Sequence, residues 1–266
     1  MHHLTLSALF VYPVKSARGI SLDEAKVDDR GLEHDRRFMI VDRAGRFTSQ
    51  REHPSLARLA TEIRGDSLLL HAPHLGTLEL PLRPAKGPTR TVQVWRSTCD
   101  AIAVGDDAAA FLSRYLGAPV ELVYMPDSTL RPVNPAIAKT GEVVSFADGY
   151  PFLLLGQSSL DELNRRLAHP LPIDRFRPNL VVQGAAPHDE DEWPSFAIGP
   201  VVFHAAKPCD RCVITTIDQS TLARSEEPLR TLATYRSHPS GVIFGQYLLH
   251  RGHGTLRRGD RLHPAE

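Results

Sequence analysis

Cysteine is scarce in this chain, with three among 266 residues. That excludes a disulfide framework and predicts Cys99, Cys209 and Cys212 as free thiols of a reducing, cytoplasmic setting. There is no excess of either charge, because Lys+Arg and Asp+Glu both count 31. No global field then favours nucleic acid or an anionic membrane, and neither is an expected partner. No apolar run approaches the ~20 residues of a membrane helix. The opening Met1-His2-His3-Leu4-Thr5-Leu6 has no basic stretch followed by an apolar one, so no secretory signal is expected. Missing too are GxGxxG, GxxxxGK[ST], His-Glu-x-x-His and Gly-x-Ser-x-Gly, which argues against the common nucleotide cradles, zinc proteases and α/β-hydrolases.

What remains is an ordinary globular composition, 42% hydrophobic and 23% charged, long enough for two modest domains. Short β-rich runs crowd the first hundred residues: Leu4 to Val14, Ser21 to Val27, Phe38 to Val41, Leu59 to Ile63, Ser67 to His71, Thr77 to Leu80 and Thr91 to Trp95. Their close spacing, with Pro and Gly between them, predicts an open or closed β-barrel rather than a Rossmann repeat. Asp107 to Leu116 carries apolar residues at helical spacing and Gly117 closes it. Strands are then expected at Val120 to Met125, Leu180 to Val182, Val201 to His204 and Val242 to Leu249. Helices are expected from Gln157 to Leu167, capped by Ser158 or Ser159, and from Glu227 to Tyr235. His188 to Glu192 reads as an acidic, solvated stretch. The fold class is thus mixed α/β and β-rich: an N-terminal barrel-like domain over 1–117 and a second domain with peripheral helices over 118–266.

The chemically richest segment is Lys207-Pro208-Cys209-Asp210-Arg211-Cys212, followed by Val213-Ile214-Thr215-Thr216-Ile217. The β-branched run reads as a strand, so a turn would present a thiol whose thiolate Arg211 favours. Three chemistries suit the pair. Half of a zinc site would need two more ligands from Cys99 and the histidines. A thioredoxin-like dithiol would need a helix after the pair. Alternatively Cys212 alone acts as a soft metal ligand or nucleophile. Lys15, Ser16, Arg36, Arg37, Arg177 and Asn179 fall in loops at strand ends of both halves. Together they would make a local anion site of the kind that takes phosphate.

Tyr12-Pro13-Val14-Lys15-Ser16, Asp35-Arg36-Arg37-Phe38-Met39, Phe176-Arg177-Pro178-Asn179, the Cys209 to Asp218 run, Glu227-Pro228-Leu229 and Phe244-Gly245-Gln246-Tyr247 occur in an order that resembles one family. It is that of the MOSC-domain proteins with an N-terminal MOSC β-barrel domain, which includes the mitochondrial amidoxime-reducing components and their bacterial homologues. The resemblance covers nearly the whole chain.

The resemblance implies a C-terminal MOSC β-barrel and a molybdenum cofactor, a pterin dithiolene bearing a phosphate, whose metal takes one cysteine thiolate. By position Cys212 is that ligand and the catalytic centre, and Cys209 a neighbouring non-ligand. Lys15, Ser16, Arg36, Arg177 and Asn179 match pterin and phosphate contacts. Asp210 and Arg211 lie in the cofactor loop, and Gly149, Tyr150 and Ser158 fall near the remaining contacts. Asp210 departs from the serine frequent in relatives. The implied activity is reduction of N-hydroxylated or N-oxide compounds. No N-terminal anchor is expected, and with neither a cluster-binding cysteine set nor a flavin fingerprint in these residues, electrons are expected from separate proteins: a ferredoxin, or a flavin- or cytochrome-type reductase. Two other roles share the resemblance: sulfur transfer through Cys212 without molybdenum, and carriage of the cofactor. At domain level the family is also associated with pyridoxal phosphate.

Overall fold

A computed structural model describes residues 3–265. Strands dominate it, and the largest sheet runs in the order Leu262–Pro264, Ser195–Ile198, Val201–Asp210, Gly241–Arg251, Phe152–Gly156, Leu180–Gln183, Thr5–Val11, Ile20–Leu22. Neighbours along it are antiparallel except Phe152–Gly156 and Leu180–Gln183, which are parallel and joined through the helix Gln157–Arg166. That is the connection a parallel pair requires. The sheet also closes on itself. Leu6 N donates to Asp260 O and Leu262 N to Leu4 O, both at 2.9 Å, and Gly259 N donates to Leu6 O at 2.8 Å. Closure joins the Leu262–Pro264 end to Thr5–Val11, leaves Ile20–Leu22 as an outer strand, and wraps the sheet around Leu6, Leu9, Phe152, Leu154, Phe196, Phe203 and Leu248, all buried.

The first part of the chain forms smaller sheets. Phe38–Asp42, Val120–Tyr124, Ser97–Ala103 and Thr89–Val94 make one of four strands, and Ala60–Arg64, Ser67–Ala72 and Gly76–Pro81 one of three. The helix Asp106–Leu116 packs Ala108 and Leu112 into a core with Phe38, Leu68, Leu70 and Leu122. It ends at Gly117 in the left-handed conformation (φ 66°), as its terminal glycine predicts. The strands expected in this part therefore form, the Ser21 to Val27 stretch as two (Ile20–Leu22 and Glu24–Asp28), and Gly31–Leu32 and Ser97–Ala103 are added. Ser97–Ala103 is a strand although its sequence is weakly β-forming, because its buried positions are the small residues Ala101 and Ala103, and pairing with Thr89–Val94 supplies the order.

Strand pairing crosses position 117/118 in both directions. Thr5–Val11 belongs to the large barrel through Leu180–Gln183, and Val120–Tyr124 pairs with Phe38–Asp42. The two halves thus share strands, and the loops between them are held by both.

Three local expectations are corrected. Val213–Thr216 is a 3-10 turn, not a strand: Thr215 Oγ1 donates to Cys212 O (3.0 Å) and Thr216 Oγ1 to Val213 O (2.8 Å). Hydroxyls that bond the carbonyl three residues back satisfy a turn without any partner strand. The helix Gln157–Arg166 has Gly156 at its cap, and neither serine caps it. Finally, Glu190 is not solvated but buried, accepting from Gly156 N (3.0 Å) and Ser159 Oγ (2.8 Å).

Candidate active site

The strand Val201–Asp210 carries the thiol segment to the barrel rim, where its ladder with Gly241–Arg251 slips twice, between Ala205 and Lys207 and between Pro208 and Asp210. At the second slip Pro208 pairs with Gln246 but Asp210 with Ile243. The extra residue is absorbed at Gly245 (φ 82°), where a Cβ would stand 2.5 Å from Leu154 O. Bulges of this sort turn side chains out of the regular alternation. Here Cys209 and Cys212 both line a cavity of about 420 Å³ between the barrel rim and the loops of the N-terminal part.

Ten of the expected site residues meet there: Lys15, Ser16, Arg36, Gly149, Tyr150, Arg177, Asn179, Asp210, Arg211 and Cys212. Ser158 does not; its hydroxyl donates to Ala185 O at 2.8 Å on the flank of its helix. Arg37 is also elsewhere, bonded to Met125 O and Asp127. Ser16 (φ 68°), Arg36 (φ 50°) and Arg177 (φ 57°) are all in the left-handed region. Such conformations cost about 1–3 kcal/mol each in a non-glycine residue and persist where the surroundings over-determine them.

The bracing is visible. Tyr12 lies buried beside both guanidiniums, Arg36 at 4.4 Å and Arg177 at 4.3 Å from its ring centre, and its hydroxyl donates to Pro178 O. Burial raises the Tyr12 phenol well above its ordinary value, so the ring is neutral. Asn179 is bound by protein at both ends of its amide: its Oδ1 accepts from Arg36 Nη1 (3.0 Å) and Leu153 N (3.2 Å), and its Nδ2 donates to Phe10 O (3.2 Å). Its part at the cleft is to aim Arg36.

Seven cationic side chains line the cavity against two carboxylates, Asp148 and Asp210. Both carboxylates are spoken for. Lys15 Nζ donates to Asp148 Oδ1 at 2.5 Å and to Phe146 O at 2.8 Å. Desolvation works against the Asp148 carboxylate, but Lys15 and the Trp95 indole N–H hold it well below the usual range. Burial pushes the Lys15 ammonium down, with Asp148 opposing. Asp210 is paired with Lys207 at 2.7 Å, so this departure from the family pattern adds no free anion to the cleft.

Arg177 has only carbonyl and aromatic partners, Ala17 O at 2.7 Å and Tyr12, and burial lowers its guanidinium to about 10, which leaves it cationic at neutral pH. Two further donors at the cleft, Nε of Arg211 and Nε of Arg175, are buried without any partner among the described residues. Orphaned donors beside unpaired cations are what a cleft for an anionic ligand presents.

The two thiols are in different surroundings. Arg211 Nη1 donates to Cys209 Sγ at 2.9 Å and its Nη2 to Phe176 O at 2.7 Å. Cys209 is buried, and burial raises its thiol despite Arg211. Cys212 is half-buried and receives Arg51 Nη2 at 3.2 Å. The cation expected beside Cys212 is therefore not its sequence neighbour. Arg51, Trp95 and Asp148 are cleft residues that sequence reasoning missed, since each sits in a loop or strand without a motif; Tyr247 ends the Phe244 to Tyr247 motif but is not among the expected site residues. No group of three or more His, Cys, Asp or Glu side chains is arranged around a metal position among the described residues, and Cys99 lines a separate cavity. The zinc reading thus lacks its second half. Pyridoxal phosphate finds no support either, since the cleft's buried lysine is tied to Asp148.

A β-barrel whose rim presents one half-exposed thiol to a cationic cleft, with part of the cleft built by an N-terminal β-domain, is the architecture of a MOSC protein. The chain belongs to that family: the MOSC N-terminal beta barrel domain matches residues 3–119 and the MOSC domain residues 141–263. It is 32% identical to mitochondrial amidoxime-reducing component 1 of Mus musculus, over 96% of this chain and 81% of that protein. To the Homo sapiens protein of the same name it is 30% identical over 96% and 81%, and to that of Danio rerio 31% identical over 96% and 83%.

Proposed function

We propose that this protein is a molybdenum-cofactor-dependent reductase of N-hydroxylated and N-oxide compounds, with Cys212 as the metal's protein ligand. The observation that carries the reading is the pairing of a half-exposed thiol with unpaired cationic donors in one cleft. The donor set suits a group that is soft at one end and anionic at the other. Cys212 would ligate the metal, and Arg177, Arg211 and Lys15 would hold the phosphate-bearing pterin. Bound there, the cofactor supplies two-electron removal of oxygen from the substrate, chemistry that no side chain of this protein offers.

The protein's own contribution is placement. Asn179 and Tyr12 keep Arg36 and Arg177 aimed into the cleft, the Lys15–Asp148 pair fixes the loop that carries Gly149 and Tyr150, and the stacked rings of Tyr150 and Tyr247 (5.0 Å between centres) wall off water on one side. Such preorganisation spares the site reorganisation during turnover. The relatives' names support an amidoxime-type substrate, and separate redox proteins would deliver electrons. The relatives are named as mitochondrial; in this chain no helix among the described residues is long and apolar enough to cross a membrane.

Elemental analysis of the protein from a host able to make the cofactor tests the reading, together with reduction of benzhydroxamic acid by the loaded protein and a viologen donor. Molybdenum near one equivalent and steady turnover are expected. Protein without molybdenum would turn the assignment to sulfur transfer through Cys212, and molybdenum without turnover to cofactor carriage.

A further inference from the structure

Beside the main cleft lies a second cavity of about 540 Å³, lined in part by Asp42, Gln93 and His53. The two cavities share three residues, Phe47, Arg51 and Trp95, which therefore form the wall between them. Arg51 holds the position in that wall nearest the chemistry. Its Nη2 donates to Cys212 Sγ at 3.2 Å. Its guanidinium lies 4.9 Å from the centre of the Trp95 ring, and Trp95 is fixed in turn by its indole N–H to Asp148 Oδ1 (3.0 Å) and by edge contact with Phe47. The Arg51 carbonyl accepts from Arg224 Nη2 at 2.7 Å, which ties its backbone to the loop that follows Cys212. Among the described residues no carboxylate pairs with Arg51. A guanidinium carries five donors in a rigid fork. One is spent on sulfur, and none of the others has a side-chain or backbone acceptor among the described residues.

We propose that Arg51 recognises the substrate's oxygen: its free donors bind the negatively charged oxygen of an N–O compound as that oxygen is brought beside Cys212. The inference rests on the function proposed above and narrows its substrate class to N–O compounds with an anionic or strongly polarised oxygen, such as hydroxamates and N-oxides. Trp95 serves as the flat support that keeps the fork in plane.

The first test needs no cofactor. In the full-length chain made in a host unable to synthesise molybdopterin, Cys212 is alkylated with iodoacetate and with iodoacetamide, and the modified peptide is quantified by mass spectrometry. The ratio of the two rates reports a cation beside the sulfur, because the fraction of thiolate cancels. Arg51→Gln should lower the iodoacetate preference about tenfold, the scale of one charge-assisted hydrogen bond, whereas Arg51→Lys should keep most of it. An unchanged ratio in folded Arg51→Gln overturns the proposal. So does an equal fall in Lys207→Gln, which removes a cleft cation that does not touch Cys212. The second test uses the loaded protein: Arg51→Gln should raise KM for benzhydroxamate about tenfold, with partial rescue by Arg51→Lys. A lowered alkylation ratio with an unaltered KM would leave Arg51 a partner of sulfur only and sink the substrate assignment. Protein that binds no molybdenum would defeat the function proposed above, and with it the substrate assignment, while the alkylation ratio would still decide whether Arg51 presents an anion-binding charge at Cys212.

Discussion

Arg211 and Cys212 are adjacent in sequence and turned apart in space: the guanidinium reaches back to the Cys209 sulfur at 2.9 Å, while Cys212 receives Arg51 from the N-terminal part at 3.2 Å. The two thiols of the Cys-x-x-Cys pair are thereby divided into a buried, protein-bound one and a half-exposed, cleft-facing one.

Their substitutions should separate in the same way. Cys212→Ser should abolish turnover and change the metal's absorption spectrum, since a hydroxyl is a poor soft ligand. Cys209→Ser should retain most activity and lower the melting temperature by a few degrees. Steady-state assays beside absorption spectra decide it, and the reverse order of effects would move the ligand to Cys209.

For the anion-binding wall, Lys15→Ala and Arg177→Ala should each reduce cofactor retention about tenfold or more, through loss of a charge-assisted partner. Molybdenum and pterin content after gel filtration measures this. Wild-type content in both variants would remove these side chains from the binding surface.

Acid sensitivity should report the Lys15–Asp148 pair. The Asp148 carboxyl is held below its ordinary 3.8 in the folded protein. A depressed carboxyl contributes stability that is fully present above that value and lost as pH falls through the folded one. Asp148→Asn should therefore flatten the fall in melting temperature between pH ~4 and ~2. The Asp148 side chain is 53% exposed, so the expected change is the small one of a solvent-screened bridge, and a variant whose acid limb matches the wild type would show that the pair contributes nothing to stability.

Away from the cleft, Glu190 anchors the start of the helix Gln157–Arg166. Glu190→Ala strips acceptors from Gly156 N–H and the Ser159 hydroxyl, both buried, and should destabilise the protein by about 2–3 kcal/mol. Urea denaturation checks the value. A change below about 0.5 kcal/mol, the range of ordinary surface substitutions, would contradict the buried role.

Electron supply gives the last expectation. The purified protein should not oxidise NAD(P)H by itself, and activity should appear with a viologen dye or with a reductase and a small carrier. Carrier encounters of this type are transient and steered by charge, so the carrier-dependent rate should fall with salt. Turnover from NAD(P)H in a preparation free of other proteins would require an electron-accepting site of its own.

The amino-acid sequence determined the elements whose signals are local. Alternation and β-branching marked most strands, the Asp107 to Leu116 periodicity with Gly117 marked a helix, and the ordered motifs marked the cleft residues from Lys15 to Cys212. Only the tertiary structure decided which charges meet. Asp210 is silenced by Lys207, Lys15 is held by Asp148 from 133 positions away, and Arg51 reaches Cys212 across 161. It also decided that Val213–Thr216 turns and Glu190 is buried, against their composition. The reason is physical: local propensities differ by about 1 kcal/mol or less, while a buried donor, acceptor or charge left unmatched costs more. Where the barrel rim and the N-terminal loops close on one another, that matching sets the conformation and the site.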